Sequence, residues 1–345
     1  MYYILIAIIM IFDFRLSLKP EGCRAKSVQL YSYIICALLI LLAAFRSDLV
    51  GTDTPAYRED YTHMNQYHSM SDIIERYSLS YIGYYGLSKL FHMVGMSVQV
   101  WFGFVEAVYL FALMKLINQF SKDKIFSLLV FITIGLFTFS LAGLKQTLGS
   151  ALVILAFVCF INKKYILAIL LACATYFTHP AALIGLGTLP LYYLRNSKWF
   201  LHFVIFMCIG IYIFNTTLMS SMVNILGNDH FERYLVNDQS YTYVTFIFYT
   251  VITLIAFIAF KNYNKSDPEF AKLFLGLSIL GCGIQLMAGI SPSLFRLALM
   301  YTPFMTILLP NAAYYSKSKV VRYVLMGCVI FFFLYTNRNT PYSFI

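Results

Sequence analysis

Long apolar runs recur along this chain of 345 residues, and many approach the roughly 20 residues that a helix needs to cross a bilayer. Hydrophobic residues make up 60% of the sequence and charged residues 12%, whereas a soluble domain has about 25% charged residues. The runs do not alternate between polar and apolar residues as the strands of a membrane barrel do. We therefore predict an all-α fold, a polytopic integral membrane bundle of helices.

The apolar runs give about twelve candidate transmembrane segments, which we interpret as one polytopic membrane domain covering residues 1–345. Several are short, which favours a broken or re-entrant course for some of them. The opening run lacks a positive n-region and a small-residue cleavage site, so we predict a retained first span. The candidate segments are 1–12, 27–45, 97–115, 125–141, 147–161, 165–177, 181–194, 199–218, 241–260, 271–290, 293–314 and 320–335.

Lysine and arginine residues cluster in alternate loops between these segments. By the positive-inside rule these loops are cytoplasmic, and the remaining loops and both termini are extracytoplasmic. The same rule accounts for the net charge of +10 without a nucleic-acid partner. Residues 81–96 are apolar but short, and we interpret them as an interfacial or re-entrant helix, because a full span there would invert every later loop.

Sequence motifs for metals and nucleotides are absent. The seven cysteines show no CxxC spacing, so neither a disulfide framework nor a zinc site is indicated. The chain also lacks GxxxxGK[ST], HExxH, GxSxG and GxGxxG. These absences argue against an ATP-driven pump and a zinc protease, and we predict no metal and no cofactor.

The first extracytoplasmic loop begins with AFRSDLVGTDTPAYRED, residues 44–60. Gly51 permits a tight turn, and the threonine–proline pair that follows predicts a helix from Pro55 to about residue 67. Arg46 emerges at the membrane surface, where it binds a phosphate or merely snorkels to headgroups. Asp53 immediately precedes the helix, where it takes part in chemistry or merely stabilises the turn.

Four further polar residues stand at predicted outer ends of spans. Arg296 lies about one turn inside an apolar segment, where a lone charge is costly and a guanidinium suits phosphate. Lys145 and Gln146 occupy a tight hairpin, where a lysine runs against the charge bias and a glutamine can bind a sugar hydroxyl. His179 is a candidate general base at a proline-terminated helix end. Each has an ordinary alternative: snorkelling, an interfacial lysine or a satisfied loop histidine.

Two other regions carry polar groups. The loop of residues 218–240 contains GNDHFERYLVNDQS, in which Arg233 and Tyr234 suit carbohydrate recognition, although such loops are often only solvated. Glu106 lies in the middle of an apolar segment, where a carboxyl is a functional candidate or a paired packing residue.

With these residues assembled, the chain resembles the EpsG family of Wzy-like polysaccharide polymerases. FRSDLVGTDTPAY is similar to the family's arginine–GTD–tyrosine stretch and supplies Arg46, Asp53 and Tyr57. LKQTLGSALV resembles its basic-Gln helix start, with Lys145 where the family commonly has arginine. The other similar stretches are THPAALIGL with His179, FERYLVND with Arg233 and Tyr234, and FRLALMYTPFMTILLP with Arg296.

The resemblance implies a GT-C-like glycosyltransferase of the bacterial inner membrane that makes capsular, exopolysaccharide or O-antigen chains on its extracytoplasmic face. The hydroxyl of an acceptor sugar would attack the anomeric carbon of a glycan carried on polyprenyl diphosphate, and polyprenyl diphosphate would leave. The donor is already activated, so no cofactor is needed. The implied partners are the lipid-linked oligosaccharide and the bilayer, with a chain-length regulator and a flippase as further candidates.

Site residues follow from that reaction. The leaving group develops negative charge, so preorganised cations lower the barrier, and we assign Arg46, Lys145 and Arg296 to this task. The attacking hydroxyl needs a base or an oriented acceptor, for which Asp53 is the first candidate and His179 the second. The residues expected along the sugar units are Gln146, Tyr57, Tyr61, Arg233 and Tyr234.

Two other functions remain open at the level of sequence. A flippase or transporter of lipid-linked oligosaccharides accounts equally well for the spans, but it predicts polar groups along a path through the whole membrane. A membrane O-acyltransferase needs a suitably placed catalytic histidine, and only His179 fits. The gathering of polar groups on one face favours the polymerase.

Overall fold

The computed structural model describes residues 1–214, 217, 243–288, 295–337 and 342–344. Within these residues the chain is helical and forms no strand, apart from an isolated bridge between Arg46 and Phe344. The predicted all-α class is confirmed for this part of the chain.

The α-helices, numbered in chain order over the described residues, are α1 Tyr2–Ser17, α2 Glu21–Ala44, α3 Thr54–Thr62, α4 Met70–Tyr77, α5 Ile82–Met93, α6 Val98–Phe120, α7 Lys124–Thr133, α8 Leu136–Ala142, α9 Leu144–Ile161, α10 Tyr165–Thr178, α11 Thr188–Leu194, α12 Phe200–Ile213, α13 Val244–Ile258, α14 Phe260–Ser266, α15 Pro268–Met287, α16 Phe295–Ala298, α17 Met305–Tyr315 and α18 Lys319–Thr336. Short 3-10 helices cover His63–Gln66, Leu79–Tyr81, Pro180–Gly187 and Thr302–Phe304.

In the described part of the chain, 5 helices are long and apolar enough to cross a membrane, or up to 7 if each of two bent pairs is one span. By this criterion of length and composition the chain is a membrane-embedded helical protein. The predicted total of about twelve spans and the GT-C-like arrangement stay predictions. The long apolar segments are Gly22–Ala44, Val98–Phe120, Leu144–Ile161, Pro268–Met287 and Lys319–Thr336.

The two bent pairs show where an apolar run does not form one straight helix. The predicted segment 125–141 is divided into α7 and α8, which meet at 53°. Gly135 lies between them with φ +87°, a left-handed conformation that ends an α-helix and that glycine adopts at little cost. The second pair, α13 and α14, is bent by 59°.

The chain divides into two compact units. The first comprises Met1–Leu183 and Val329–Ile345. In it α9 packs between α6 and α10, and α6 also packs on α2. The short helices α3 and α4 each pack on α5, and α3 and α5 contact α6 around a buried aromatic cluster that contains Tyr57, Tyr84 and Trp101.

The second unit is Ile184–Cys328. Its helix α15 is packed against α12, α13 and α17. A Cβ atom on Gly276 of α15 would lie 2.6 Å from the ring of Phe200, so a small residue there lets α12 approach closely. The amide nitrogen of Asn311 donates to the hydroxyl of Tyr263 at 3.0 Å, which ties α17 to α14.

Candidate functional site

The connection between α2 and α3 turns at Gly51, which has φ +86°. A Cβ atom on this residue would lie 2.5 Å from the carbonyl oxygen of Leu141, so both the backbone conformation and the available space require glycine. The Thr54 hydroxyl donates to the carbonyl oxygen of Val50 at 2.6 Å. It also accepts a hydrogen bond from Nε of Arg46 at 3.2 Å. These contacts fix the start of α3 against the end of α8.

Asp53 lies in this turn as the N-cap residue of α3, which begins at Thr54, one position before the predicted start at Pro55. Its side chain is half-buried and accepts a hydrogen bond from the Thr52 hydroxyl at 3.3 Å. Its carbonyl oxygen accepts from the backbone N–H of Tyr57 at 3.1 Å. Tyr57 therefore lies one helical turn after Asp53, in the first turn of α3.

Arg46 points into the first unit and is 0% exposed. Its guanidinium lies 4.1 Å from the ring centroid of Phe102 and donates to the carbonyl oxygen of Ala43. Burial lowers the pKa of Arg46 to about 10, and the side chain of Glu106 opposes that change, so the guanidinium is charged at neutral pH. One of its nitrogens, Nη2, is buried without a hydrogen-bond partner. Arg46, which was predicted to bind phosphate at the membrane surface, is therefore instead a buried cation next to the turn.

Lys145 lies among three tyrosine rings, which we call the tyrosine cage: Tyr57 of α3, Tyr81 before α5, and Tyr85 of α5. Its Nζ lies 4.9 Å from the ring centroid of Tyr81 and 5.7 Å from that of Tyr57. It lies 5.2 Å from the ring centroid of Tyr85 and donates to the Tyr85 hydroxyl at 3.3 Å. Cations are attracted to aromatic faces at such distances. The cage therefore holds a half-buried ammonium group at the start of α9.

Asp60 of α3 contacts the cage through the hydroxyl of Tyr85. One carboxylate oxygen accepts from the Tyr85 hydroxyl at 3.0 Å, and the other accepts from the Tyr77 hydroxyl at 2.9 Å. The two tyrosine rings are stacked, with centroids 3.6 Å apart and planes inclined by 16°. The Tyr67 hydroxyl lies 3.2 Å from that of Tyr77. A continuous set of hydrogen bonds therefore runs from Lys145 to Tyr67.

His179 also lies near Tyr81. It is the C-cap residue of α10 and is 8% exposed, and its ring centroid lies 5.9 Å from that of Tyr81. A Cβ atom on Gly149 of α9 would lie 3.3 Å from Cβ of His179, so glycine lets the end of α10 approach α9 one turn after Lys145. Tyr81 thus contacts both the predicted base and the predicted cation.

The other predicted site residues are placed as follows. Gln146, next to Lys145, is buried, and its Oε1 has no hydrogen-bond partner. Arg296 is half-buried on the short helix α16 of the second unit. Arg233 and Tyr234 lie outside the described residues. The structure therefore brings together Lys145, Tyr57 and His179 around Tyr81.

Sequence reasoning did not single out Asp60, Tyr77, Tyr81 or Tyr85. The available signal was the recurrence of tyrosine every four residues at 77, 81 and 85, a spacing that favours one helix face. The helix is interrupted, however, at Ser78, which has φ +77°. In the described part of the chain, no group of three or more His, Cys, Asp or Glu side chains is arranged to hold a metal ion.

The cage combines a cation, aromatic faces and hydroxyl groups, which together suit a sugar phosphate. The family model of the EpsG family matches residues 29–344, nearly the whole of the 345-residue chain. This is the family of Wzy-like polysaccharide polymerase-related membrane proteins, and it indicates a membrane protein of polysaccharide biosynthesis. Comparisons with curated proteins and with solved structures gave no match. The resemblance to this family is confirmed, and the chain belongs to the EpsG family.

Proposed function

We propose that this protein is a glycosyltransferase that polymerises oligosaccharide repeat units carried on polyprenyl diphosphate. The reaction takes place on the extracytoplasmic face of the bacterial inner membrane and extends a capsular, exopolysaccharide or O-antigen chain. The acceptor sugar's hydroxyl oxygen bonds to the donor's anomeric carbon while the bond to the diphosphate breaks. The hydroxyl proton passes to a base, and polyprenyl diphosphate leaves as an anion.

The observation that supports this proposal is the position of Lys145 in the tyrosine cage. A sugar ring packs on the aromatic face of a tyrosine, and its hydroxyls pair with tyrosine hydroxyls. An ammonium in the same place stabilises the charge that develops on the departing diphosphate. The proposed reaction class comes from family membership, and the cage offers aromatic groups for the sugar and a cation for the diphosphate.

We assign the remaining roles by their neighbours. Asp53 stays the first candidate for the base, and His179, whose ring centroid lies 5.9 Å from that of the cage tyrosine Tyr81, is the second. Arg296 is proposed, from sequence alone, as the second cation for the diphosphate. Burial of Arg46 supports a role in holding the turn instead of direct contact with substrate.

Gln146, Tyr57, Arg233 and Tyr234 are proposed for sugar recognition, the last two from sequence alone. A flippase that delivers the repeat units and a chain-length regulator complete the proposed partners. Neither partner nor cofactor is needed for a single transfer between two lipid-linked units, so the reaction can be tested with purified protein.

The test uses the protein in lipid with a synthetic polyprenyl diphosphate repeat unit, and gel separation of the products. Wild-type protein is expected to give a ladder. Lys145→Gln should slow product formation roughly 100-fold, as expected for the loss of one charge-stabilising group, and Lys145→Arg should keep most activity. The control is Lys26→Gln, which removes a lysine from the exposed surface of α2.

The competing function is a flippase for the same lipid-linked substrate. If wild-type protein gives no ladder but moves the substrate between leaflets of a vesicle, the polymerase proposal is wrong. A ladder that persists unchanged in Lys145→Gln would keep the polymerase and remove the cage from its active site.

A further inference from the structure

We propose that Asp60 is a positioning residue for Lys145 and acts through the hydroxyl of Tyr85. Its place in catalysis rests on the proposed function, whereas its effect on Lys145 does not. Asp60 lies on α3, Tyr85 on α5 and Lys145 on α9, so the three residues come from separate helices of the first unit.

The directions of the hydrogen bonds follow from the chemistry of the groups. An ionised carboxylate only accepts, and an ammonium only donates. The Tyr85 hydroxyl, 3.0 Å from Asp60 and 3.3 Å from Lys145 Nζ, must therefore donate to Asp60 and accept from Lys145. No other assignment satisfies both contacts, so Tyr85 links the carboxylate to the ammonium with one fixed polarity.

The other carboxylate oxygen of Asp60 also accepts a hydrogen bond, from the hydroxyl of Tyr77. Tyr77 donates its proton to the other carboxylate oxygen at 2.9 Å, so its oxygen is left to accept from Tyr67 at 3.2 Å. Burial raises the pKa of Tyr85 and of Tyr77, and both hydroxyls therefore keep the protons that the network requires. Asp60 thus holds a stacked tyrosine pair in place through two charge-assisted hydrogen bonds.

The consequence for Lys145 is both geometric and electrostatic. The fixed Tyr85 oxygen holds Nζ against the faces of Tyr81 and Tyr57, at 4.9 Å and 5.7 Å from their ring centroids. The carboxylate charge, transmitted through one hydroxyl, stabilises the ammonium group in its half-buried site. Without Asp60, the Tyr85 hydroxyl is free to rotate and donate elsewhere, and this acceptor of Lys145 is no longer oriented.

The experiment measures how fast Lys145 is acylated by a water-soluble N-hydroxysuccinimide ester in the full-length protein in lipid. Peptide mass spectrometry quantifies Lys145 and the exposed Lys26 in the same sample. Acylation needs an unprotonated, accessible amine, so Asp60→Asn and Tyr85→Phe should each raise the Lys145 rate about tenfold or more, the size expected for one lost hydrogen bond to a charged group. The double variant should be no faster than either single variant, because both changes break the same link.

Matched variants separate positioning from general loosening. Glu59→Gln removes the neighbouring carboxylate, which is exposed on α3, and should leave the Lys145 rate unchanged. Asp60→Glu restores a carboxylate and should return most of the protection. Tyr85→Phe keeps the stacked ring and removes only the hydroxyl, so it remains informative if Asp60→Asn fails to fold.

A Lys145 rate at the wild-type value in Tyr85→Phe overturns the proposal, as does an equal rise at Lys26. The polymerisation assay is run on the same samples. Suppose that wild-type protein makes no ladder while the variants show the predicted rise in the Lys145 rate. This result contradicts the proposed function and supports the role of Asp60. A ladder from wild-type protein, together with a Lys145 rate that is unchanged in the variants, supports the proposed function and overturns the role of Asp60.

Discussion

Arg46 and Arg58 are two cations of the same region, and the guanidiniums of both lie near the Phe102 ring, at 4.1 Å and 5.7 Å from its centroid. Their surroundings differ. Arg46 is 0% exposed and interacts electrostatically with Glu106, which is 1% exposed. Arg58 pairs at 2.6 Å with Asp48, whose side chain is 51% exposed. The same residue type therefore has a structural role at one position and a surface role at the other.

We expect Arg46→Ala to lower the free energy of unfolding by about 2 to 5 kcal/mol, because it removes a fully buried side chain that packs on Phe102 and donates to Thr54 and Ala43. Arg58→Ala should cost less than about 1 kcal/mol, since exposed ion pairs contribute little. Thermal or denaturant unfolding of the detergent-solubilised protein measures both. If Arg46→Ala unfolds like wild type but gives no polymer, Arg46 binds substrate and the structural role assigned to it here is wrong.

At the scale of the helices, the connection before α3 depends on one glycine. Gly51→Ala introduces strain at φ +86° and a Cβ atom 2.5 Å from the Leu141 carbonyl oxygen. Gly95→Ala is the matched control, because Gly95 has φ +73° and open space around its Cβ position. Left-handed strain alone costs about 1 to 2 kcal/mol, and the close contact adds about 1 to 3 kcal/mol.

Gly51→Ala should therefore reduce the unfolding temperature distinctly more than Gly95→Ala does. It should also reduce polymerisation, since the turn sets the position of Tyr57 in the cage. Equal unfolding temperatures for the two variants would show that α3 is not held against the end of α8 as described. Both measurements use the same preparations as the labelling experiment.

Helices were predictable where the apolar run was long and uninterrupted. The predicted segments 97–115 and 147–161 correspond to α6 and α9, with ends displaced by a few residues. The break in 125–141 was missed because it depends on one glycine in a left-handed conformation. The predicted helix up to about residue 67 ends as α3 at Thr62 and continues as a 3-10 turn to Gln66.

The site was predictable only in part, for a physical reason. Lys145 and His179 stood out because their charge or position opposed the local pattern. Asp60 and Tyr85 look ordinary in sequence, and their function as a unit depends on contacts across 25 and 60 residues of chain. Such contacts are created by the packing of α3, α5 and α9 and have no local signature.

For the whole molecule, the placement of the cage outside the cytoplasm depends on one inference, the positive-inside assignment of loops. The helix α2 offers a direct test, because it is long enough to cross the bilayer: its 24 residues rise about 1.5 Å each, against a hydrocarbon core of about 30 Å. Cys23, which is exposed, lies at its start. Thr52, also exposed, follows its end in the turn before α3.

In a background in which the other six of the seven cysteines are replaced, Cys23 should react with a membrane-impermeant maleimide only after cells are permeabilised. Thr52→Cys, made with Cys23 also replaced, should react in intact cells if the cage faces outward, as the loop charges predict. The two positions, on either side of α2, should differ in labelling of intact cells, so each is the control for the other. Labelling of Cys23 alone in intact cells would place the cage in the cytoplasm. There it could not meet donors and acceptors on the outer leaflet, and the proposed extracytoplasmic polymerisation would have to be abandoned.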